Sequence, residues 1–362
     1  MIVEQTSKIN RNPTDLLASK RRASFNSLAA GRVFFWILLA LVHATCQSSS
    51  AQQSDNSNKL LEKAAVGGKQ RPVAVGRFAD IRIVESSGVE MAQPESGKDK
   101  SQSIWTFNDS GGDSILFRVN FKGYTEATLR LKGARNRDWE TMCAYSFQGR
   151  RFIAIGDVGD NASKRKSCQI HVVEEPKVKL KNPGKNEKRK IEDLKANAIT
   201  IDFKYEDRAH NCEAMAYNVQ DNTFWLVEKV YVSDKRKTAP GIFALPNPLT
   251  AKPKDRKKRK GNTAKQIAEF PVRNVTGMAF SPDGKKLVIR SYFGASLLRR
   301  PEGKTWLETV NETEPIALSL PLQSQGEAIC FSADSESLLI TSELKNAIIW
   351  QVSLDQKTKQ EK

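Results

Sequence analysis

A short phrase recurs five times along the 362-residue chain. Each copy has a polar or acidic residue, then a small residue, then a short hydrophobic run. The copies span residues 85–89, 138–144, 211–217, 275–280 and 326–331. Their starts lie roughly 50 to 70 residues apart, a spacing typical of circular repeat proteins built from four-stranded units. The chain is therefore expected to fold as a series of similar β units.

Hydrophobic runs separated by turn residues follow each copy, and they read as about four strands per unit. The last copy has only three such runs, whereas an unassigned apolar pattern at 73–84 precedes the first copy. We therefore expect an all-β fold over residues 73–354, a five-bladed β-propeller of four-stranded blades. An N-terminal strand would complete the last blade and close the ring, which removes exposed sheet edges. The alternative is six blades, with a degenerate blade inside an insert.

The N-terminal segment has the order of an export signal: basic residues, an apolar run at 33–45, then small residues up to Ala51. The apolar run is shorter than the roughly 20 residues that a membrane-spanning helix needs. Residues 1–51 are therefore predicted to be an export signal, 52–72 a polar linker and 355–362 a polar tail. We expect an exported protein, periplasmic or extracellular. The alternative is an uncleaved N-terminal anchor, which would be the only link to a membrane.

The net charge of +17 is concentrated in three segments. The leader carries a net +4, the insert at 177–195 carries +5 and the insert at 252–265 carries +7, which leaves about +1 for the rest. Charge runs of this kind are usually solvated loops, and neither insert has the interleaved aromatic residues that stack on nucleic-acid bases. The sequence therefore disfavours nucleic-acid binding and predicts that both inserts are dispensable loops.

Four cysteines follow the leader, and none has the spacing of a metal site. Cys143 and Cys330 each lie three residues after a glutamate in a hydrophobic run, so we expect them in the core. Because export implies an oxidising compartment, Cys168 and Cys212 are the candidate disulfide. Zinc and a serine triad are disfavoured because the three histidines include only His210 near the predicted site, and no G-x-S-x-G is present.

Successive strands of a blade are antiparallel, so the first strands start, and the second strands end, at the same end of the ring. We call this end the mouth. It collects the polar segments 108–112, 135–138, 156–161, 207–211, 228–229, 290–292, 323–325 and 342–343. We expect one central pocket there, lined by Glu140, Asp157, Glu213 and Glu327, with Asp109 and Arg290 nearby. Carboxylates held together repel, so at least one is expected to have a raised pKa or a bound cation.

The candidate catalytic residues are Glu140, Glu213, Glu327, Arg290 and His210. One protonated and one ionised carboxylate can divide the acid and base roles of a hydrolysis. The alternative is structural: each glutamate, including Glu85 in the first copy, would bond backbone amides of a neighbouring blade.

A calcium site is the second candidate. Ca²⁺ prefers carboxylate, amide and carbonyl oxygens, and the turn-rich loop around Asp157, Asp160 and Asn161, with Asp109, supplies them. In the alternative interpretation these side chains cap the backbone of their own loop.

Five motifs stand out between residues 80 and 352. They are Trp105-Thr-Phe-Asn-Asp-Ser-Gly111, Asp138-Trp-Glu140, Ile155-Gly-Asp-Val-Gly-Asp-Asn161, Thr276-Gly-Met-Ala-Phe-Ser-Pro-Asp-Gly284 and Gln325-Gly-Glu-Ala-Ile329. Together these motifs resemble a family of exported bacterial propeller proteins. That family is distantly similar to phytase-like and esterase-like propellers and has no settled activity. The resemblance implies the fold and export, and it implies no reaction. The lysine-rich inserts and Phe107 depart from the family pattern.

Two functions agree with these observations. The first is a binding or scaffold propeller that recognises a glycan, a protein or a small molecule at the central mouth. The alternative is a Ca²⁺-dependent hydrolase or lyase that acts through the carboxylates of the mouth.

Overall fold

The computed structural model describes residues 72–94, 102–179, 190–235, 239–250 and 261–354. In that part of the chain the regular secondary structure is almost entirely β-strand, mostly antiparallel. The predicted export signal, almost all of the linker and the polar tail lie outside the described residues. The described helix is too short to cross a membrane. The elements in chain order are β1 (Pro72–Arg77), β2 (Ser86–Met91), β3 (Ser103–Asn108), β4 (Ile115–Asn120), β5 (Thr125–Lys132), β6 (Trp139–Phe147), β7 (Arg150–Asp157), β8 (Cys168–Glu174), β9 (Glu192–Asn197), β10 (Ile199–Tyr205), β11 (Cys212–Asn218), β12 (Thr223–Glu228), β13 (Gly241–Pro246), β14 (Asn262–Glu269), β15 (Val275–Phe280), β16 (Lys286–Ser291), β17 (Gly294–Arg299), α1 (Trp306–Glu312), β18 (Ile316–Leu318), β19 (Gly326–Phe331), β20 (Ser337–Ser342) and β21 (Ile348–Ser353).

The strands form four hydrogen-bonded sheets. One sheet has the order β2-β3-β4-β5-β9, a second has the order β15-β16-β17-β18, and a third has the order β19-β20-β21-β1. The fourth is eight-stranded, because the group β6-β7-β8-β10 and the group β11-β12-β13-β14 are joined by a parallel pair between β10 and β14. The repeated phrase of the sequence opens the first strand of every antiparallel group.

The first strands β2, β6, β11, β15 and β19 contact one another in chain order, and β19 contacts β2. This closed sequence of contacts makes the fold β-propeller-like. The N-terminal strand β1 pairs antiparallel with β21, with Pro72 opposite Val352. The prediction that an N-terminal strand joins the last group is therefore confirmed.

Both basic inserts end in strands, which corrects the prediction that they are only loops. Residues 192–197 form β9, which pairs in parallel along β5 from Ala127 opposite Glu192 to Lys132 opposite Asn197. Residues 262–265 begin β14, and Ala264 is fully buried between two other strands. The reason is that an outer strand leaves a row of unpaired backbone groups, which another segment can satisfy whatever its charge.

Helix α1 was not predicted. It begins with a capping box, in which the Thr305 hydroxyl accepts from the Glu308 backbone amide (3.2 Å) and the Glu308 carboxylate accepts from the Thr305 amide (2.7 Å). Trp306 and Val310 pack into the core between two neighbouring groups, which also contains Trp225. The Thr-x-x-Glu spacing was the available signal in the sequence.

The four cysteines that the structure describes are buried and free. The predicted disulfide between Cys168 and Cys212 is therefore wrong. Both thiols lie in one apolar core cluster, which also contains Tyr205. The prediction that Cys143 and Cys330 pack in the core is confirmed.

Candidate metal centre in the mouth

Every first strand carries a β-bulge at its start, and the bulges are in equivalent positions. The pairing shifts between Ser86 and Gly88, Trp139 and Thr141, Cys212 and Ala214, Val275 and Gly277, and Gly326 and Ile329. A bulge leaves one extra residue unpaired and changes the direction of its side chain. The residues that fall in the bulges are Ser87, Glu140, Glu213, Thr276 and Glu327.

A second set of equivalent residues faces this one, just after the second strand of each group. The backbone N–H of each residue in this set donates to the carbonyl two residues before the bulged residue. The five bonds are Asp109 to Glu85 (2.9 Å), Gly159 to Asp138 (3.2 Å), Lys229 to Asn211 (2.8 Å), Tyr292 to Asn274 (3.3 Å) and Glu343 to Gln325 (3.0 Å). The repeated bond places both sets at the mouth.

The register of the bulges shows that Glu85 is not equivalent to the other three glutamates, although the sequence had suggested that it was. Glu85 is exposed and lies two residues before the bulge, so Ser87 occupies the position that a glutamate occupies in three other groups. The mouth therefore has three equivalent glutamates instead of four.

Those three glutamates converge, as the topology predicted. Carboxylate oxygens of Glu140, Glu213 and Glu327 lie within 4.8 Å of one another, and the three residues are 4%, 2% and 3% exposed. A second group shares Glu140 and consists of Asp109, Asp138 and Glu140, again within 4.8 Å of one another. We refer to them as the glutamate triad and the aspartate group.

Lys229 neutralises part of the glutamate triad. Its ammonium donates to the Glu213 carboxylate and to the Tyr292 hydroxyl (2.9 Å), and it lies 3.7 Å from Glu327. The Tyr292 hydroxyl donates in turn to Glu327 (2.8 Å). The ammonium also lies 4.8 Å from the centre of the Tyr292 ring and 5.6 Å from that of Tyr231, within the range of cation–π attraction.

In the aspartate group, burial raises the pKa of Asp138 and the Arg165 charge lowers it in part, but Glu140 has no such partner. Among the residues that the structure describes, Glu140 has no hydrogen bond or ion pair, although it is 4% exposed. One carboxylate oxygen of Asp109 is likewise buried without a hydrogen-bond donor among the described atoms. Gly159 lies against this group: a Cβ there would come within 2.3 Å of Glu140 Oε1 and 2.6 Å of Asp138. The glycine leaves room for these carboxylates.

Burial raises the pKa of most of these acids, and their mutual repulsion adds to it. The pKa of Glu213 is raised to about 7, that of Asp109 to about 8 and that of Glu343 to about 9. The pKa of Glu140 is raised well above its usual value, by burial and then by the Glu213 charge. Burial acts to lower the pKa of Lys229, but the Glu213 and Glu327 carboxylates outweigh it and raise that pKa. Lys229 therefore keeps its charge at neutral pH.

The other residues predicted for a metal site bind protein groups. Asp157 forms an ion pair with Arg165 (2.7 Å), and the Asp160 carboxylate accepts from the Arg165 backbone N–H (2.6 Å). The Asn161 amide oxygen accepts from the Tyr231 hydroxyl (2.9 Å). Of the four predicted ligands, Asp109 alone joins the carboxylate groups described above.

Two predicted catalytic candidates form no ion pair with the glutamate triad or the aspartate group. His210 is buried between Asp207 (2.9 Å) and Glu228 (3.1 Å). Arg290 is 2% exposed and donates to backbone carbonyls of a neighbouring group and to the Gln323 amide oxygen. The bonds are to Ala328 (2.6 Å), Thr341 (3.1 Å) and Gln323 (2.7 Å). Burial lowers the pKa of Arg290 to about 9, so the guanidinium still carries its charge at pH 7 while it joins two groups of strands.

Sequence reasoning placed Asp138, Lys229, Tyr292 and Glu343 at the mouth without giving them a role. The signal that distinguishes them is their position immediately after a second strand or two residues before a bulge. That position can be identified only when the strand register is known.

Comparisons with known proteins add little to this description. No protein-family model matches the chain, and no curated protein matches its sequence. Among solved structures, a gluconolactonase from Xanthomonas campestris matches with 12% identity and a TM-score of 0.39. The match covers 81% of this chain and 92% of that chain. A structural similarity this low gives no information about the function of this chain.

Proposed function

We propose that the chain is a five-bladed β-propeller whose mouth binds one divalent cation and hydrolyses a neutral ester. The blade count is supported by the five antiparallel groups, if the eight-stranded sheet is counted as two blades joined through β10 and β14. On this interpretation β9 is a fifth strand added to the first blade.

The observation that supports cation binding is the uncompensated Glu140. A carboxylate removed from water needs a partner to remain ionised, and Glu140 has none among the described residues. Asp109 and Asp138 bring further oxygens within 4.8 Å of it. Carboxylate oxygens are the ligands that Ca²⁺ prefers. We therefore assign the cation to the aspartate group, with Ca²⁺ as the first candidate.

Hydrolysis is supported by the chemistry that surrounds this group. A bound divalent cation polarises a carbonyl and lowers the pKa of bound water. Glu213, with a pKa of about 7, is the general base that we assign, because a base is most effective when its pKa is near the working pH. Lys229 and Tyr292 supply donors in the glutamate triad, to Glu213 and Glu327.

The charge of the mouth favours a neutral substrate. Six carboxylates lie there, and among the described residues Lys229 is the one cation that forms ion pairs with them. The six are Glu140, Glu213, Glu327, Asp109, Asp138 and Glu343. One divalent cation leaves this pocket without the excess positive charge that a phosphate ester needs. An ester carbonyl needs only polarisation and a proton donor, so the esterase-like alternative is favoured over the phytase-like one.

The test is calorimetric titration of the full chain with Ca²⁺, Mg²⁺, Mn²⁺ and Zn²⁺, followed by hydrolysis assays with p-nitrophenyl acetate and p-nitrophenyl phosphate. We expect one bound cation and acetate hydrolysis that a chelator abolishes. Glu140→Gln should lose both, whereas Glu174→Gln, at an exposed ion pair with Arg150, should lose neither. Cation binding without hydrolysis would indicate the binding or scaffold protein of the first interpretation, and a chain that binds no cation would refute the proposal.

We also propose that the protein is exported, because residues 1–51 have the order of an export signal. The N-terminal sequence of the mature protein tests this. A chain that begins near Gln52 is expected, and one that keeps the leader would indicate the membrane-anchored alternative.

A further inference from the structure

Lys229 lies where a cation would otherwise be required. Among the described residues, it is the only cationic side chain that forms ion pairs with the glutamate triad. Its ammonium contacts Glu213 and the Tyr292 hydroxyl and lies 3.7 Å from Glu327. Three oxygens around one positive charge form the environment that a metal ion would also have.

The two carboxylate groups are neighbours, because both include Glu140. Hydrolases with two metal ions hold the ions roughly 3.5 to 4 Å apart, and a shared ligand commonly bridges the two ions. In this chain the glutamate triad holds an ammonium. The aspartate group includes the buried Glu140, which has no hydrogen bond or ion pair among the described residues; the Arg165 charge acts there on Asp138.

We infer that Lys229 replaces the second metal ion of a two-cation centre, so that the mouth holds one divalent cation at the aspartate group and one tethered ammonium at the glutamate triad. The first cation rests on the function proposed above. The ammonium does not, because its contacts are present in the structure.

The surroundings of Lys229 hold its ammonium in place. The backbone N–H of Lys229 donates to Asn211 (2.8 Å), and the rings of Tyr231 and Tyr292 flank the ammonium. Because it is covalently attached, this charge does not dissociate when free metal is scarce. Only the aspartate group then depends on the supply of divalent cation.

The experiment removes the charge and counts the ions. Lys229→Met has a side chain of similar length without a charge, and Lys229→Arg keeps the charge. Each variant is dialysed against Mn²⁺ alone, bound Mn²⁺ is measured per chain, and electron paramagnetic resonance detects coupling between neighbouring ions. We expect one uncoupled Mn²⁺ in the parent and in Lys229→Arg, and two coupled Mn²⁺ in Lys229→Met.

The outcomes separate this inference from the proposed function. If the parent binds none and Lys229→Met binds one, the proposed cation site fails but the replacement by Lys229 stands. If Lys229→Met binds no more ions than the parent, or if the parent already binds two, the inference is wrong. If Lys229→Met folds only when Mn²⁺ is present, the inference is supported, because a metal ion then replaces the ammonium. Failure to fold in millimolar Mn²⁺ counts against it.

Discussion

Glu90 is expected to make the stability of the protein depend on pH. Its carboxylate lies at the end of β2, where it accepts from the backbone N–H of Ala144 (3.1 Å) on the next first strand. It also accepts from Arg151 (3.3 Å), and its side chain is 17% exposed. Burial raises its pKa from 4.5 to about 7, the Arg151 charge lowers it in part and the Glu175 charge raises it. The buried thiols of Cys143 and Cys330 face the same carboxylate.

The sign and the size of the effect follow from linkage. A carboxyl group whose pKa is higher in the folded state binds its proton more tightly there, so its protonated form favours folding. This contribution is complete below the unfolded pKa of 4.5 and is lost as the pH rises through about 7. One pKa unit corresponds to about 1.4 kcal/mol, so a shift from 4.5 to about 7 amounts to about 3 kcal/mol.

The assay compares Glu90→Gln with the parent by urea unfolding from about pH 4 to about pH 8. Glutamine does not titrate, so any constant cost of the substitution cancels when differences at two pH values are compared. We expect the free energy of unfolding of Glu90→Gln, relative to the parent, to rise by about 3 kcal/mol over this range. Glu302→Gln, at an exposed glutamate, should show no such trend. A difference that stays constant within about 1 kcal/mol would refute the reasoning.

Three further predictions concern the mouth and the ring. Gly159→Ala places a Cβ 2.3 Å from Glu140 Oε1 and should weaken cation binding at least about tenfold in calorimetry; Gly112→Ala, where the nearest atom is 4.0 Å away, should leave it unchanged. Arg290→Met should lower the free energy of unfolding by about 3 kcal/mol, because buried carbonyls lose their donor; an unchanged urea midpoint would contradict this. Deleting residues 72–77 removes β1 and its five paired positions and should cost about 3 to 5 kcal/mol, so a truncated chain as stable as the parent would argue against closure by β1.

The arrangement of strands could be predicted because it rests on local signals. Apolar runs and turn residues mark the strands, and the missing run after the last copy predicts closure by an N-terminal strand. Antiparallel succession then determines which loops share the mouth, so the convergence of Glu140, Glu213 and Glu327 follows from topology alone. Helix α1 also has a local signal, the capping box of Thr305 and Glu308.

The register could not be predicted, because it depends on the bulges. The phrase at Glu85 resembles the other copies, but the bulge at Ser87 shifts the equivalent position by two residues. The parallel pairing of β9 with β5 also has no local signal, since it joins segments about 65 residues apart. Asp138 is recognisable as part of the site only after its distance to Glu140 is known.

The unpaired edges of the first strands distinguish structural polar residues from functional ones. Each first strand pairs on one side only, and buried backbone groups on the other side need partners. Thr141 accepts from Met215 (3.1 Å) and Thr276 donates to Gly326 (3.0 Å), as Glu90 and Arg290 do for other edge groups. These side chains have a structural role, because each forms a hydrogen bond with a buried backbone group. Glu140 satisfies no backbone group in the described part of the chain, although it is as deeply buried, and this is why the cation is assigned beside it.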